Sequence, residues 1–272
     1  MKKVYLLFAS LIVLSACKKD HSPASTGGPS TNPANYALIS YASYVNRTLV
    51  DSMSFTYDPT ARLLTSYVDI PFGNGQIFPT DYQFSYTNGK CTRIDISAEG
   101  YRTYYTYQYN SDSTVDTVKF YSSPDTIPAA SAFFRYNAAG QMVDEFDFAG
   151  SLNYSHYVYT YDALGDLSTS VDSSLASGPG FVTTWRYTDY DSKVNLLRAV
   201  PGYPATNSLM LAFDGQRSSP HNCLQTTTTG YIAPGGQYVA DTVNFKYTYN
   251  SAGLPTQIVN GIDTIRLAYM QL

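Results

Sequence analysis

The chain has 272 residues, a formal net charge of −4 and a pI near 5.2. Because no basic stripe is available to follow a phosphate backbone, nucleic acid is a poor candidate partner. Charged residues make up 14 % of the chain and aromatic residues 15 %, with 27 tyrosines, and this composition disfavours long helices of mixed charge.

The N-terminus has the order of segments typical of a secretory signal peptide. A basic start at Lys2 and Lys3 precedes an apolar run from Leu6 to Leu14, which is too short to span a bilayer. The sequence Leu14-Ser15-Ala16-Cys17 resembles the lipobox of bacterial lipoproteins, in which cleavage precedes the cysteine and the cysteine carries the lipids. The resemblance assigns lipidation to Cys17. The alternative is an ordinary signal peptide with Cys17 incidental.

Three segments follow from this assignment: a signal peptide over residues 1–17, a tether over 18–35 and one β domain over 36–272. The tether is rich in Ser, Pro, Gly, Thr and Asn, which cannot bury enough apolar surface to fold. Lys18 follows the cysteine where an Asp would retain an enterobacterial lipoprotein in the inner membrane. We therefore expect a lipid anchor in the outer membrane, facing either the periplasm or the cell surface.

A repeat of the form aromatic–polar–tyrosine organises the rest of the chain. It occurs seven times, at Phe55-Thr56-Tyr57, Phe84-Ser85-Tyr86, Tyr107-Gln108-Tyr109, Phe134-Arg135-Tyr136, Tyr159-Thr160-Tyr161, Trp185-Arg186-Tyr187 and Tyr247-Thr248-Tyr249. The residue two positions earlier usually extends the alternation, so one face of each segment is apolar, as in a half-buried strand. Asp or Asn then opens a turn and Gly closes it, as in Asp162 to Gly165, before a second strand begins.

Each unit is therefore predicted to be a β-hairpin, and seven or eight hairpins give about 14–16 strands. A degraded unit at Leu211 to Gly215 would fill the long gap before the last motif. The predicted fold is all-β: an antiparallel meander curled into a barrel-like or half-barrel sheet that covers its aromatic face. Insertion in the membrane is disfavoured, because the tyrosines run along the whole apolar face and Arg135, Arg186 and Lys246 occupy the other.

The pattern Tyr-x-Tyr-Asp/Asn-x-x-Gly-x-Leu, clearest at Tyr159 to Leu167, resembles the YD-type repeats of Rhs and teneurin shells. With the lipobox, the chain resembles a family of Gram-negative lipoproteins of unknown function that are described as having a porin-like fold. The segment Trp185 to Tyr190 is similar to that family's tryptophan unit. The resemblance implies a fold and no catalytic residues. Gly is missing from the pattern at Ser111 to Ser113.

Cysteine and histidine offer little chemistry. A disulfide between Cys91 and Cys223 is permitted by the compartment but is not needed by a core of this size. Among the three histidines, His21 lies in the tether and His156 on the polar side of a strand, and His221 is interpreted as a loop residue beside a structural Cys223. No metal-ligand spacing, phosphate loop or nucleophile elbow is present, so we predict no cofactor and no metal.

Carboxylates at i and i+2 share a strand face, so Glu145 with Asp147, or Asp189 with Asp191, offers an acid/base or Ca²⁺ pair. Solvated strand faces are the simpler explanation. The repeated tyrosines are either a core ladder or exposed platforms for sugar rings, and the ladder is favoured. Irregular loops at Gly73 to Gly75, Gly178 to Gly180 and Pro201 to Gly236 are further candidates for a ligand site.

We therefore expect a non-enzymatic scaffold or binding module for a glycan or an envelope protein, anchored by lipid. The predicted binding residues are Trp185, Tyr187, Asp189, Tyr190 and Asp191 in the tryptophan unit. The alternative function is a hydrolase of envelope or other polysaccharide that uses strand carboxylates. An exposed row of aromatic rings would favour glycan binding, and two facing carboxylates in a cleft would favour the hydrolase.

Overall fold

A computed structural model describes residues 35–72, 79–174, 181–195, 219–232 and 239–272. Several predicted features lie outside these residues. They are the signal peptide, Cys17, nearly all of the tether, the degraded unit at Leu211 to Gly215, the loops at Gly73 to Gly75 and Gly178 to Gly180, and most of the insertion from Pro201 to Gly236.

The described residues form seventeen β-strands and essentially no helix. In chain order the strands are β1 Tyr36–Val45, β2 Thr48–Tyr57, β3 Leu64–Pro71, β4 Thr80–Thr87, β5 Lys90–Ala98, β6 Tyr101–Tyr109, β7 Val115–Ser122, β8 Ala130–Tyr136, β9 Met142–Ala149, β10 Leu152–Tyr161, β11 Leu167–Ser174, β12 Phe181–Val194, β13 His221–Ile232, β14 Val239–Asn244, β15 Lys246–Tyr249, β16 Pro255–Asn260 and β17 Asp263–Gln271.

The strands form a nearly closed antiparallel barrel. From β1 to β14 each strand pairs with the next, β15 pairs with β16, β16 with β17, and β17 returns to pair with β1. A single residue, Phe245, separates β14 from β15, and its backbone N–H donates to Leu224 O. This break raises the strand number one above the predicted range, and the all-β meander itself is confirmed.

The turns follow the predicted chemistry. Oδ1 of Asp162 accepts the backbone N–H groups of Leu164 and Asp166, and Oδ1 of Asn250 does the same for Ala252 and Leu254. The closing glycines have positive φ, +86° at Gly165 and +78° at Gly253, a conformation that costs other residues strain. The motif strand and the strand after it are thus joined by a tight turn that caps its own amides.

A bulge recurs at the same place in most hairpins, and the sequence analysis did not predict it. The register shifts beside the second motif tyrosine, for instance between Thr56 and Tyr57 and between Thr160 and Tyr161. The second strand of the hairpin therefore contains one extra residue, which is Thr65 in β3. As a result, two inward-facing residues of that strand, Leu64 and Tyr67, are three positions apart instead of two.

The motif face lines the inside of the barrel, where two clusters of buried residues meet at Tyr82 and Phe84. The most buried positions lie at the end of the barrel where the motif tyrosines enter their turns, which we call the tyrosine end. Cys91 and Cys223 are buried there as free thiols, so no disulfide joins them.

Candidate functional site

The repeated tyrosines are core residues, as the favoured interpretation predicted. Tyr57, Tyr107, Tyr157, Tyr159 and Tyr187 are each less than a tenth exposed. Hydroxyls of the second motif tyrosine also hydrogen-bond to backbone carbonyl oxygens of neighbouring units, as Tyr86 does to Leu64 at 2.6 Å and Tyr109 to Cys91 at 2.6 Å. Rings held this way are unavailable as stacking platforms for a ligand.

A different set of aromatic rings lies on the outer face. We call it the outer aromatic ribbon; it consists of Tyr104, Tyr121, Phe133, Phe146, Phe148 and His156, on strands β6 to β10. The strand register places these residues in three adjacent rows. Tyr104 is opposite Tyr121, Lys119 is opposite Ser131 and Ser131 opposite Phe148, and one row runs from Phe133 through Phe146 to His156.

The rings of the ribbon contact one another in pairs. Tyr104 and Tyr121 stack with centroids 4.6 Å apart, and Phe146 and His156 stack at 4.3 Å. Phe133 meets Phe148 edge to face at 5.5 Å. Phe133 remains 42 % exposed, so an apolar ring face is presented to solvent in a rigid setting.

Charged side chains are interleaved with these rings. The Arg93 guanidinium lies 3.9 Å from the Tyr104 centroid and forms an ion pair with Asp95, and the Arg135 guanidinium lies 5.0 Å from the Phe146 centroid. His156 Nε2 lies 2.9 Å from Asp144 Oδ1. The position of His156 on the outer, polar side of its strand is as predicted.

The tryptophan unit is divided between the two faces. Trp185 and Tyr187 face inward, Trp185 half-buried opposite Ser170 and Tyr187 only 7 % exposed. Asp189 has φ +56° and is exposed. Because the chain bulges at this point, Tyr190 also turns inward, and its hydroxyl donates to Leu167 O at 2.5 Å. Tyr187 and Tyr190 are thus core residues by position, and a binding role for the unit stays a prediction.

Asp191 differs from the exposed Asp189 in its surroundings. The Asp191 carboxylate accepts hydrogen bonds from the Tyr249 hydroxyl, from Asn222 and from the Lys193 backbone N–H. These contacts join β12, β13 and β15 at the tyrosine end. We infer that Asp191 has a structural part in closing the barrel here.

His221 is held by a carboxylate that the sequence analysis missed. Asp166, with no exposed surface, accepts the His221 backbone N–H at 3.1 Å, and its Oδ2 lies 2.7 Å from His221 Nδ1. Nearby, Ser219 Oγ accepts the Leu167 N–H and donates to the Tyr190 hydroxyl. His221 begins β13 instead of lying in a loop, and the network clamps the chain where β13 resumes after the insertion.

Carboxyl groups also line the inside of the barrel. Glu145 is fully buried and accepts the Tyr159 hydroxyl at 2.7 Å, so its interpretation as part of a solvated face was wrong. Burial, and then the charge of Asp172, raises the pKa of Asp147 to about 7, and burial raises the pKa of Asp172 to about 6. Burial and the neighbouring Asp51 raise the pKa of Asp69 to about 8.

Two further observations bear on function. Within the described ranges, no group of three or more His, Cys, Asp or Glu side chains is arranged to hold a metal ion. No helix in the part of the chain that the structure covers is long and apolar enough to cross a membrane.

Sequence reasoning missed the ribbon because it followed the motif face alone. The available signal was Phe133 directly before the motif residue Phe134, because side chains alternate between faces and a neighbour of an inward residue points outward. Phe146 and Phe148 gave no such signal, because they face outward only as a result of the bulge in β9.

No protein-family model and no curated protein matches the chain. Among solved structures it is similar to a porin-like protein from Bacteroides uniformis, with 14 % identity, a TM-score of 0.57, and coverage of 86 % of this chain and 98 % of that one. A porin-like protein from Bacteroides vulgatus has 13 % identity and a TM-score of 0.40, with coverage of 87 % and 99 %. The first likeness shows a porin-like fold and nothing about activity.

Proposed function

We propose that this protein is an outer-membrane lipoprotein whose barrel is a non-enzymatic binding module for a glycan. The observation that carries the proposal is the outer aromatic ribbon, where the exposed ring of Phe133 lies among polar side chains. An aromatic ring stacks on the apolar face of a sugar, while neighbouring polar groups hydrogen-bond to its hydroxyls. Rigid rings lose little conformational entropy on binding, which favours them as anchors.

The proposed lipid anchor, the tether and the outer face of the barrel together support a location in the cell envelope. A lipid on Cys17 adds about 0.8 kcal/mol of membrane affinity per buried methylene, so several acyl chains anchor firmly. The polar tether would let the barrel stand off the bilayer. The outer face of the barrel carries Arg93, Lys119 and Arg135, groups that are costly in contact with lipid and suit a domain held in water.

The test of binding is a glycan array probed with the full chain, purified in detergent, and with a Phe133→Ala variant. Saturable binding to one glycan class, weakened in the variant, is the expected result. The matched control is Tyr44→Ala, which removes an aromatic ring from β1, outside the strands β6 to β10 that carry the ribbon. Silence across the array from folded protein would reject a glycan ligand and direct the search to protein partners.

The test of anchoring is metabolic labelling with radioactive palmitate in a Gram-negative host, followed by membrane fractionation. Label should appear in the native chain and be lost in Cys17→Ala, with the native chain in the outer-membrane fraction. An unlabelled native chain that is secreted would reject the lipid anchor.

A hydrolase is the second candidate, and one observation favours it. Asp147 and Asp172 face the same interior, and both have raised pKa values, the state that a general acid needs near neutral pH. Incubating the protein with each glycan that it binds and analysing the products decides the matter. Release of shorter products that stops in Asp172→Asn, and persists in the exposed control Asp125→Asn, would establish hydrolysis.

A further inference from the structure

We propose that the ligand of the outer aromatic ribbon is an acidic polysaccharide, whose carboxylate or sulfate groups bind Arg135 and Lys119. This inference rests on the proposed glycan-binding function and adds the chemical class of the glycan. It follows from which charges on the ribbon are already neutralised and which are not.

The carboxylates beside the ribbon already have partners. Arg93 binds Asp95, with its Nη2 2.5 Å from Oδ1. Asp144 is directly opposite Arg135 across β8 and β9, yet its Oδ1 lies 2.9 Å from His156 Nε2, and the carboxylate does not reach Arg135.

Arg135 and Lys119, by contrast, have no such partner. Neither takes part in an ion pair with any residue that the structure describes. Arg135 is exposed and is positioned by the Phe146 ring, while Lys119 is half-buried between Thr106 and Ser131 on the neighbouring strands. The ribbon consequently has an excess of positive charge, although the whole chain has a net charge of −4.

The geometry suits an extended polymer. Lys119 lies opposite Ser131 on β8, four residues before Arg135 on the same strand. With a rise of about 3.3 Å per residue and about 4.8 Å between strands, the two cations are about 14 Å apart at their Cα atoms. Phe133 lies between them along β8. A chain running along this strand can stack one sugar on Phe133 and bring acidic groups on either side to the two cations.

The surface is a poor match for other occupants. A neutral glycan would leave both cations without partners, and a hydrophobic protein surface would have to desolvate them. Charge complementarity with aromatic contact favours a polyanion with apolar ring faces. Because Arg135 is exposed and Lys119 is only half-buried, salt should weaken the interaction.

The experiment is titration calorimetry of the full chain with polygalacturonate, alginate and dextran sulfate. Fully methyl-esterified polygalacturonate and dextran serve as the uncharged partners. We expect at least one acidic polymer to bind about tenfold or more tightly than its uncharged partner, with affinity falling between low and high salt. Arg135→Gln and Lys119→Gln should each weaken that binding about three- to fivefold.

Arg266→Gln is the matched control. Its guanidinium lies 4.9 Å from the Tyr44 centroid, almost the geometry of Arg135 over Phe146, but on β17 and not on the ribbon. This variant should bind like the native protein, and circular dichroism should show all three variants folded.

The outcomes separate the two proposals. Equal binding to charged and uncharged polymers would overturn the acidic ligand, and so would unchanged binding in Arg135→Gln and Lys119→Gln. If Phe133→Ala still weakened binding, the glycan function would stand. Binding to neutral glycans on the array without binding to any acidic polymer would also overturn the acidic ligand and leave the glycan function standing. Failure to bind any glycan would overturn both.

Discussion

The hydroxyl of Tyr161 on β10 donates a hydrogen bond of 2.8 Å to the carbonyl oxygen of Met142, the first residue of β9. Tyr86 makes the same bond to Leu64 and Tyr109 to Cys91, each the carbonyl of a residue at or near the start of the previous unit's second strand. Tyr57 makes it to Leu38 on β1, so the pattern reaches the strand that closes the barrel. In these four units the second motif tyrosine therefore links its hairpin to the preceding unit or strand.

Tyr161→Phe should destabilise the barrel modestly. The change removes one hydroxyl, keeps the ring, and leaves the Met142 carbonyl without its side-chain donor, so we expect a loss of about 0.5–1.5 kcal/mol in the free energy of unfolding. Denaturant unfolding of the purified protein measures it. Tyr101→Phe, at a residue 76 % exposed, is the control and should match the native protein. Equal stability of the two variants would show that the link contributes nothing.

The sequence predicted the hairpins because every local signal agreed. Alternation gave the strands, the Asx residue and glycine gave the turn, and the spacing of motifs gave the number of units. The closing strand β1 was not predicted, because Tyr36–Val45 lacks the motif and pairs with β17, the last of the described strands. Such long-range pairing leaves no local signature.

The burial of Glu145 could not be predicted without the bulge. Simple alternation from Met142 puts Glu145 on the outer face. The extra residue, Val143, shifts the phase by one, so Met142 and Glu145 both face inward. The same shift explains the buried pairs Cys91 with Ile94 and Val115 with Val118. A three-residue spacing of apolar residues after each turn was the available signal.

Alanine at either turn glycine should destabilise the barrel, because both glycines have a positive φ. Gly253→Ala places a side chain at φ +78° with open space around it, so only backbone strain of about 1–2 kcal/mol is expected. Gly165→Ala adds the displacement of Gln141 Nε2, which lies 3.2 Å from the new Cβ, and should cost at least as much. Thermal unfolding measures both.

Gly230→Ala is the control for this pair, because that glycine lies in β13 without a positive φ and with nothing within 4 Å of an added Cβ. It should leave the melting temperature nearly unchanged. A loss at Gly230 as large as that at Gly253 would refute the explanation from φ.

The two barrel thiols should be inert in the folded protein. Burial raises the pKa of Cys91 to about 12 and also raises that of Cys223, so little thiolate is available to react. A maleimide reagent should label neither before denaturation and both after it, as read by peptide mass mapping. A peptide containing Cys91 linked to Cys223 after air oxidation would contradict the structure.

The interior carboxyls should make the barrel less stable as pH rises from about 4 to 8. In the unfolded chain Asp69 loses its proton near its ordinary pKa of 3.8, whereas in the barrel burial and Asp51 keep the proton until about pH 8. Below 3.8 both states are protonated. Across the window the folded state binds more protons than the unfolded state, so the free energy of unfolding falls with increasing pH.

Asp69→Asn should reduce this dependence, because an amide can keep a hydrogen bond to Asp51 and cannot ionise. We expect the variant to melt higher than the native protein at pH 8, with a smaller difference at pH 5, in melting curves recorded by circular dichroism. Part of the slope should remain, since Asp147 and Asp172 act in the same direction. The control is Asp125→Asn, which removes an exposed carboxyl and should have the same pH dependence of the melting temperature as the native protein. If Asp69→Asn also had the native pH dependence, Asp69 would be ionised in the barrel throughout this range.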